Sequence, residues 1–171
     1  MTDITLTILP EKPDDDTAIE KLSERTFGPG RFARSAYRLR EEGQHRRELS
    51  FTARIGTLLV GSVRLTPIRI GKTKALLLGP LTVEPPFRSR GVGRRLMERA
   101  LADAKEKGHR MVLLVGDEAY YSRIGFKRVP KGRVAMPGPV DHDRILVAEL
   151  VPGAFDDKVS GTVRPDWSFA R

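Results

Sequence analysis

The sequence contains no cysteine among its 171 residues, which excludes disulfide bonds, thiolate nucleophiles and thiolate metal ligands. It also has no apolar run that approaches the ~20 residues of a membrane-spanning helix. Residues 1–4 lack the basic and apolar regions of a secretory signal peptide. We therefore expect a protein of the reducing cytoplasm that does not enter a membrane.

Aromatic residues are scarce as well, at 6% of the chain, whereas basic residues outnumber acidic ones by 31 to 22. The net charge of +9 raises the possibility of nucleic-acid binding. However, the basic residues are spread along the chain, and few aromatic side chains lie among them to stack on bases. We interpret most of this charge as solvated surface and keep a basic nucleic-acid-binding module as an alternative. The histidines at 45, 109 and 142 show no metal-ligand spacing, so no metal site is predicted.

Strands and helices alternate along the chain closely enough to form a single domain over residues 1–171. The patterning predicts, in chain order, a strand at 4–9, a helix from the acidic run 14–16 to residue 27, a short helix at 32–39, strands at 48–55, 58–70 and 74–83, a helix from residue 92, and a strand at 111–115. The middle strands form an antiparallel meander, and the last lies parallel to 74–83 through a right-handed crossover. The predicted fold class is α/β (α+β mixed), with a mostly antiparallel sheet flanked by helices.

The helix that begins at residue 92 has one apolar and one charged face. Its apolar residues recur at helical spacing: Val92, Leu96, Ala100, Leu101 and Ala104. Gly108 follows as a residue that can end the helix in a left-handed conformation. This pattern predicts that the helix packs on the sheet and that its N-terminus is held rigidly at the end of strand 74–83.

A basic turn that contains glycines joins strand 74–83 to this helix. It reads Phe87-Arg88-Ser89-Arg90-Gly91-Val92-Gly93-Arg94. Glycine leaves no Cβ between the backbone N–H groups and an anion, and the N-terminus of a helix favours negative charge. The turn therefore predicts a phosphate-binding site. Leu96 stands where a dinucleotide-binding fingerprint needs its third glycine, and no nucleotide-triphosphate P-loop occurs in the chain.

The spacing Arg88-x-x-Gly91-x-Gly93 resembles the loop that binds the acetyl-CoA pyrophosphate in the GNAT superfamily of N-acetyltransferases. The resemblance implies a GNAT-like fold, with acetyl-CoA as the acetyl donor. It also implies that the backbone of residues 81–83 splays from the neighbouring strand to bind pantetheine, and that the Val83 N–H polarises the thioester carbonyl. The residues that it implies for coenzyme binding are Leu81, Thr82, Val83, Arg88, Ser89, Arg90, Gly91, Val92, Gly93 and Arg94.

The segment 116–126 resembles a second GNAT motif, in which a helical tyrosine precedes Gly-Phe by four residues. Tyr121 occupies that place, and the resemblance implies that its phenol protonates the departing thiolate of coenzyme A. Tyr120 is the alternative acid, since adjacent helical residues point in different directions. Where many relatives carry asparagine, this chain has Gly116-Asp117. This string and the tail 146–163 resemble the YhbS branch of the superfamily.

The reaction implied by the resemblance is direct attack of an amine on acetyl-CoA within a ternary complex. Glu84 is the carboxylate nearest the strand end and the candidate general base, with Glu48 and Glu118 as alternatives. Isolated serines such as Ser122 lack a nucleophile elbow, so a covalent acyl-enzyme is not expected.

The amine acceptor is not specified by any motif in the sequence. We expect its pocket to involve residues 27–48 and the tail after Pro130. A homodimer is possible because the last strand could pair with a partner chain. A protein that binds acyl-CoA as a regulator, without turnover, is the alternative to the enzyme.

Overall fold

A computed structural model describes residues 5–27 and 44–169 of the chain. Within them, the strands are β1 (Leu6–Pro10), β2 (Phe51–Ile55), β3 (Leu58–Ile70), β4 (Thr73–Val83), β5 (Met111–Val115), β6 (Lys127–Arg128), β7 (Val134–Ala135), β8 (Ile145–Glu149) and β9 (Gly161–Pro165). Their order in the sheet is β1-β2-β3-β4-β5-β8-β6, and β9 pairs with both β3 and β7. The predicted mixed fold is confirmed.

The sheet is mostly antiparallel, as predicted. Strands β1 to β4 form the expected meander, and β8 is antiparallel to β5. Strand β5 lies parallel to β4 through the pairs Leu76–Val112 and Leu77–Leu113, which confirms the pairing predicted for 111–115. The last strand, β9, pairs with β3 of the same chain through Ile68, Arg69 and Ile70.

Three helices flank the sheet in the described part of the chain: α1 (Asp16–Phe27), α2 (Val92–Glu106) and the single turn α3 (Glu118–Tyr121). Helix α2 buries its predicted apolar face against the sheet, except that Leu101 is only partly buried. It also buries Met97, which was missing from that face because the buried stripe is wider than the minimal spacing. Gly108 follows the helix in the left-handed region, at φ 89°, as expected of the residue that ends it.

Helix α1 begins through a 3-10 turn at Pro13–Asp15. The Asp15 carboxylate accepts the Lys12 N–H at 2.8 Å, which satisfies a donor that the helix start would otherwise leave open. The buried side of α1 packs Ile19 and Leu22 against Leu59 of β3. The acidic opening of this helix and its end at Phe27 therefore match the sequence-based prediction.

The strand predicted at 48–55 begins later than expected. Residues Arg47–Leu49 form a 3-10 turn, and β2 starts at Phe51. Ser50 accounts for the difference, because its hydroxyl donates to the Arg46 carbonyl at 2.7 Å and accepts the Leu65 N–H at 3.1 Å. The Ser50 side chain thus makes a hydrogen bond to β3 that a backbone carbonyl would make in a regular β-ladder. The helix predicted at 32–39 lies outside the described residues.

Strands β4 and β5 separate at one edge of the sheet. Their pairing ends at Leu77–Leu113, whereas β4 continues to Val83 and stays paired with β3. An opening is left beside residues 78–83, next to the start of α2. This opening is where the candidate site lies.

Candidate active site

The turn between β4 and α2 has the backbone geometry of an anion-binding loop. Gly91 is the N-cap residue of α2, with φ 80°, and no side chain caps the helix. Ser89 has φ 65°, which is uncommon for a residue with a side chain and is often found at ligand-binding sites. The first N–H groups of α2 are therefore not capped by a side chain, and the positive end of the helix dipole lies beside them.

A first cleft of 470 Å³ lies over this helix start. It is lined by Thr26, Phe27, Leu81, Val83, Phe87, Arg88, Ser89, Gly91, Val92, Gly93, Arg94, Tyr120, Arg123 and Ile124. Eight of the ten residues predicted to bind the coenzyme are in this lining. Arg90 and Thr82 are not: the Arg90 guanidinium lies 6.0 Å from the Phe87 ring centroid, and Thr82 is buried in β4.

A second cleft of 430 Å³ occupies the opening between β4 and β5. Its lining is Phe27, Leu78, Gly79, Pro80, Leu81, Leu114, Val115, Gly116, Asp117, Tyr120, Tyr121 and Arg144. Phe27, Leu81 and Tyr120 line both clefts, so the two spaces are neighbours along β4. Together they offer a long ligand one path from the helix start to the separated strands.

The backbone of Val83 faces this path. The Glu84 N–H donates to the Val60 carbonyl of β3 at 2.8 Å. Because successive N–H groups of an extended strand point to opposite edges, the Val83 N–H points away from β3. A polar backbone donor is thereby directed to the side on which β4 has parted from β5.

The two tyrosines of α3 have different surroundings. The Tyr121 ring packs against Phe126, with ring centroids 6.1 Å apart, and lines only the second cleft. A Cβ atom on Gly116 would overlap Cε2 of Tyr121. The Tyr120 hydroxyl instead lies at the helix start, 3.0 Å from where a Cβ of Gly93 would be. Each tyrosine therefore occupies space that a neighbouring glycine leaves open.

Each candidate carboxylate for proton transfer is held by an arginine. Glu84 accepts from Arg25 of α1, with the Nη2–Oε2 distance at 2.7 Å, and Glu118 from Arg128 at 3.0 Å. Glu48 accepts from Arg46 at 2.6 Å. Burial raises the Glu48 pKa, but the hydrogen bond from Arg46, a backbone hydrogen bond and the charges of Arg46 and Lys107 together outweigh it and leave the pKa below its ordinary value. None of the three carboxylates is in the lining that the described residues give either cleft.

Asp117, two residues after β5, caps α3. Its Oδ1 accepts the Ala119 N–H at 3.0 Å. Among the described residues, no group of three or more histidine, cysteine, aspartate or glutamate side chains could hold a metal ion. In the same part of the chain, no helix is long and apolar enough to cross a membrane.

Comparison with known proteins identifies the fold that carries these clefts. The sequence model of the acetyltransferase (GNAT) family matches residues 17–126, which include β4, the turn, α2 and the tyrosine pair. The chain belongs to the GNAT family. The resemblance drawn from the glycine-containing turn is thus confirmed at the level of the family.

GNAT relatives are similar over almost the whole chain. YhbS of Escherichia coli K12, described as an uncharacterized N-acetyltransferase, is 32% identical over 163 residues, or 94% of this chain and 96% of that protein. The crystal structure of E. coli YhbS in complex with CoA covers 100% of this chain and 95% of its own, with TM-score 0.81 and 26% identity. A GNAT acetyltransferase from Brucella melitensis, solved with acetyl-CoA, has TM-score 0.70 and 25% identity, and covers 98% of this chain and 99% of its own. The predicted likeness to the YhbS branch is confirmed.

Several residues that line the clefts were not named individually from the sequence, although Phe27 and Arg144 lie in the two segments that were expected to form the acceptor pocket. Arg123 and Phe27 line the clefts from segments that have no phosphate-binding pattern. Arg144 reaches the second cleft from the turn before β8. Arg123 could have been found, because it lies between Tyr121 and Gly-Phe on a turn already assigned to the site. Arg144 could not, because only the pairing of β8 with β5 brings it there.

Proposed function

We propose that this protein transfers the acetyl group of acetyl-CoA to an amine. The observation that carries the proposal is the continuous path formed by the uncapped start of α2 and the opening between β4 and β5. Backbone amides and Arg88 suit the coenzyme phosphates at one end. The relatives solved with CoA and acetyl-CoA support the same ligand. The absence of a membrane-spanning helix among the described residues is compatible with the cytoplasmic location that we propose.

The proposed chemistry is one direct transfer. The nitrogen of a neutral amine attacks the thioester carbon, the carbon–sulfur bond breaks, and the coenzyme leaves as a thiolate. The Val83 N–H stabilises the negative charge that develops on the carbonyl oxygen. Tyr121 donates its phenol proton to the thiolate, and the amine proton passes to a base or to water.

The assignment of Glu84 as the general base remains a prediction. Its carboxylate follows Val83 directly, but it is bound to Arg25, so its evident contribution is to tie α1 to the end of β4. If Glu84 is the base, Glu84→Gln lowers kcat most at low pH, where the neutral amine is scarce. If water takes the proton, the same variant changes stability and leaves the pH profile of kcat unaltered.

The proposal is tested by two measurements on the purified protein. Isothermal titration measures acetyl-CoA binding, and a thiol-release assay with a panel of amines measures transfer. We expect binding and amine-dependent release of free coenzyme A. Binding without release for any amine would favour an acyl-CoA-binding regulator. Tight duplex-DNA binding at physiological salt, without acetyl-CoA binding, would favour the basic nucleic-acid-binding module.

The variant Tyr121→Phe separates binding from proton transfer. The ring that contacts Phe126 is kept and the proton donor is lost, so we expect kcat to fall about 100-fold with little change in coenzyme affinity. Tyr120→Phe is the matched control, and we expect it to change coenzyme affinity more than kcat, because its hydroxyl lies at the helix start. Full activity of Tyr121→Phe, or a larger loss of kcat in Tyr120→Phe, would contradict this assignment.

A further inference from the structure

The second cleft contains an arginine that the proposed reaction does not use. Arg144 lines this cleft together with Tyr121 and the backbone of residues 78–81. Its main chain is fixed on both sides: the Arg144 carbonyl accepts the Gly116 N–H at 2.9 Å, and its own N–H donates to Asp141 at 2.9 Å. The guanidinium therefore extends from a rigid point at the end of β5, beside the glycine on which the Tyr121 ring rests.

Most arginines of this protein are already bound to acceptors within it. Ion pairs or carbonyl contacts are made by Arg25, Arg46, Arg47, Arg54, Arg64, Arg69, Arg94, Arg99, Arg128 and Arg133. Within the described part of the chain, Arg144 has no ion pair. The same is true of Arg88 and Arg123, which line the first cleft, and of Arg90, Arg95, Arg110 and Arg164, which line neither cleft. Unpaired arginines thus line both clefts.

The carboxylates near Arg144 are engaged elsewhere. Asp143 is bound to Arg128 at 3.3 Å, and Asp141 Oδ1 accepts the Asp143 N–H at 3.0 Å. Asp117 Oδ1 accepts the Ala119 N–H at the start of α3. Within the described residues the Arg144 guanidinium makes no hydrogen bond to these or other acceptors, so its donors are available to a ligand. Its planar fork matches the two oxygens of a carboxylate or phosphate.

We propose that Arg144 determines acceptor specificity, and that the acceptor is a small amine that also carries an anionic group, a carboxylate or a phosphate. The anionic group binds Arg144, and the amine is thereby directed to the thioester carbon between β4 and Tyr121. The second cleft has a volume of 430 Å³, part of which the thioester end of the coenzyme would occupy, so the remaining space suits a small molecule. This inference rests on the proposed acetyl transfer and specifies its substrate class.

Matched acceptor pairs test the inference in the thiol-release assay. One pair is an amino acid and its amide, and the other is phosphoethanolamine and ethanolamine. We expect the anionic member of at least one pair to have a kcat/KM at least about tenfold higher, mainly through KM, which is the scale of one charge-assisted hydrogen-bonded pair. The two pairs distinguish a carboxylate from a phosphate.

Two variants test whether Arg144 causes the preference for the anionic acceptor. Arg144→Gln should erase it and leave acetyl-CoA affinity unchanged. Arg164→Gln removes the same charge from an exposed residue of β9 outside both clefts and should keep it. If Arg144→Gln does not fold, Arg144→Lys replaces it and should lower the preference by losing the bidentate fork.

The outcomes separate this inference from the proposed function. Equal kcat/KM for both members of each pair, or a preference that survives in Arg144→Gln, overturns the role of Arg144 and leaves acetyl transfer standing. Weaker acetyl-CoA binding by Arg144→Gln shows that the residue binds coenzyme, which also overturns it. Acetyl-CoA binding without thiol release for any amine overturns both.

Discussion

Glycines set the positions of the two tyrosines at the scale of single residues. The Tyr121 ring lies against the Cα atom of Gly116, and the Tyr120 hydroxyl fills the space beside Gly93. A Cβ at Gly116 would overlap the Tyr121 ring, whereas a Cβ at Gly93 would lie in tight contact with the Tyr120 hydroxyl, 3.0 Å away. The placement of Tyr121 in the second cleft therefore depends on Gly116, although Gly116 itself donates only a backbone hydrogen bond to Arg144.

We predict that Gly116→Ala lowers stability and turnover together. The new Cβ would overlap the Tyr121 ring, and relieving such overpacking costs about 1–3 kcal/mol. Urea unfolding and kcat measure the two effects. In a Tyr121→Leu background the same substitution should cost much less free energy, because the ring is gone. An equal cost in both backgrounds would locate the strain elsewhere.

At the scale of the secondary-structure element, the two ends of helix α2 have the same backbone conformation but different surroundings. Its buried face fixes it to the sheet, and its two ends carry glycines at φ 80° and φ 89°, at Gly91 and Gly108. A Cβ at either position would meet no protein atom within 4 Å. Only the N-terminal glycine lines the first cleft, so the two ends share a backbone conformation and differ in what faces them.

We predict that Gly91→Val and Gly108→Val destabilise the protein similarly, by about 1–2 kcal/mol, because both place a branched residue in the left-handed region. Only Gly91→Val should abolish acetyl-CoA binding, since its side chain projects into the first cleft. Thermal unfolding and isothermal titration separate the two effects. Unchanged coenzyme affinity in a folded Gly91→Val protein would remove the helix start from the proposed binding path.

At the scale of the whole molecule, a buried ion cluster joins segments that are distant in sequence. The fully buried Glu11 carboxylate accepts from His45 at 2.5 Å, Arg47 at 2.9 Å and Arg64 at 2.8 Å. Burial raises the Glu11 pKa, but the hydrogen bonds from His45 and Arg64 and the charges of these two side chains together outweigh it, so the pKa lies below its ordinary value of 4.5. Hydrogen bonding to Arg47 likewise lowers the Asp16 pKa below 3.8.

We predict that this cluster accounts for part of the decrease in the free energy of unfolding at acid pH, which we call the acid limb. A carboxylate whose pKa is lower in the folded state stabilises the protein above its unfolded pKa, and this stability is lost as pH falls through the folded pKa. The free energy of unfolding should therefore decrease below about pH 4.5, and urea titrations between neutral pH and pH 3 measure it. Glu11→Gln removes the buried negative charge, while Arg47 and Arg64 keep Asp16 as a partner, so it should cost about 1–3 kcal/mol at pH 7 and make the loss of stability at acid pH less steep.

The control for this prediction is Glu98→Gln, which removes an exposed pair with Arg94 within helix α2. Exposed pairs of this kind contribute about 0.3–0.5 kcal/mol, so the acid limb should stay unchanged. An unaltered acid limb in Glu11→Gln would show that other carboxylates dominate it.

The sequence by itself determined the local features of this protein. The turn at 88–94, the apolar face of α2 and the Tyr–Gly–Phe spacing are contiguous, so helical period and glycine chemistry encode them directly. These features were enough to predict the family and the parallel pairing of β5 with β4. The start of β2 was predicted too early, because the Ser50 hydroxyl, and not a backbone carbonyl, accepts the Leu65 N–H of β3.

Only the tertiary structure decided which distant residues complete the site. Arg25 meets Glu84 across 59 residues of chain, and Arg144 reaches the second cleft because β8 pairs with β5. Strand pairing brings together segments that are far apart in the sequence. No periodic pattern within either segment specifies its partner, so these contacts could not be predicted from local sequence. The division of roles between Tyr120 and Tyr121 has the same origin, because it depends on which glycine each ring packs against.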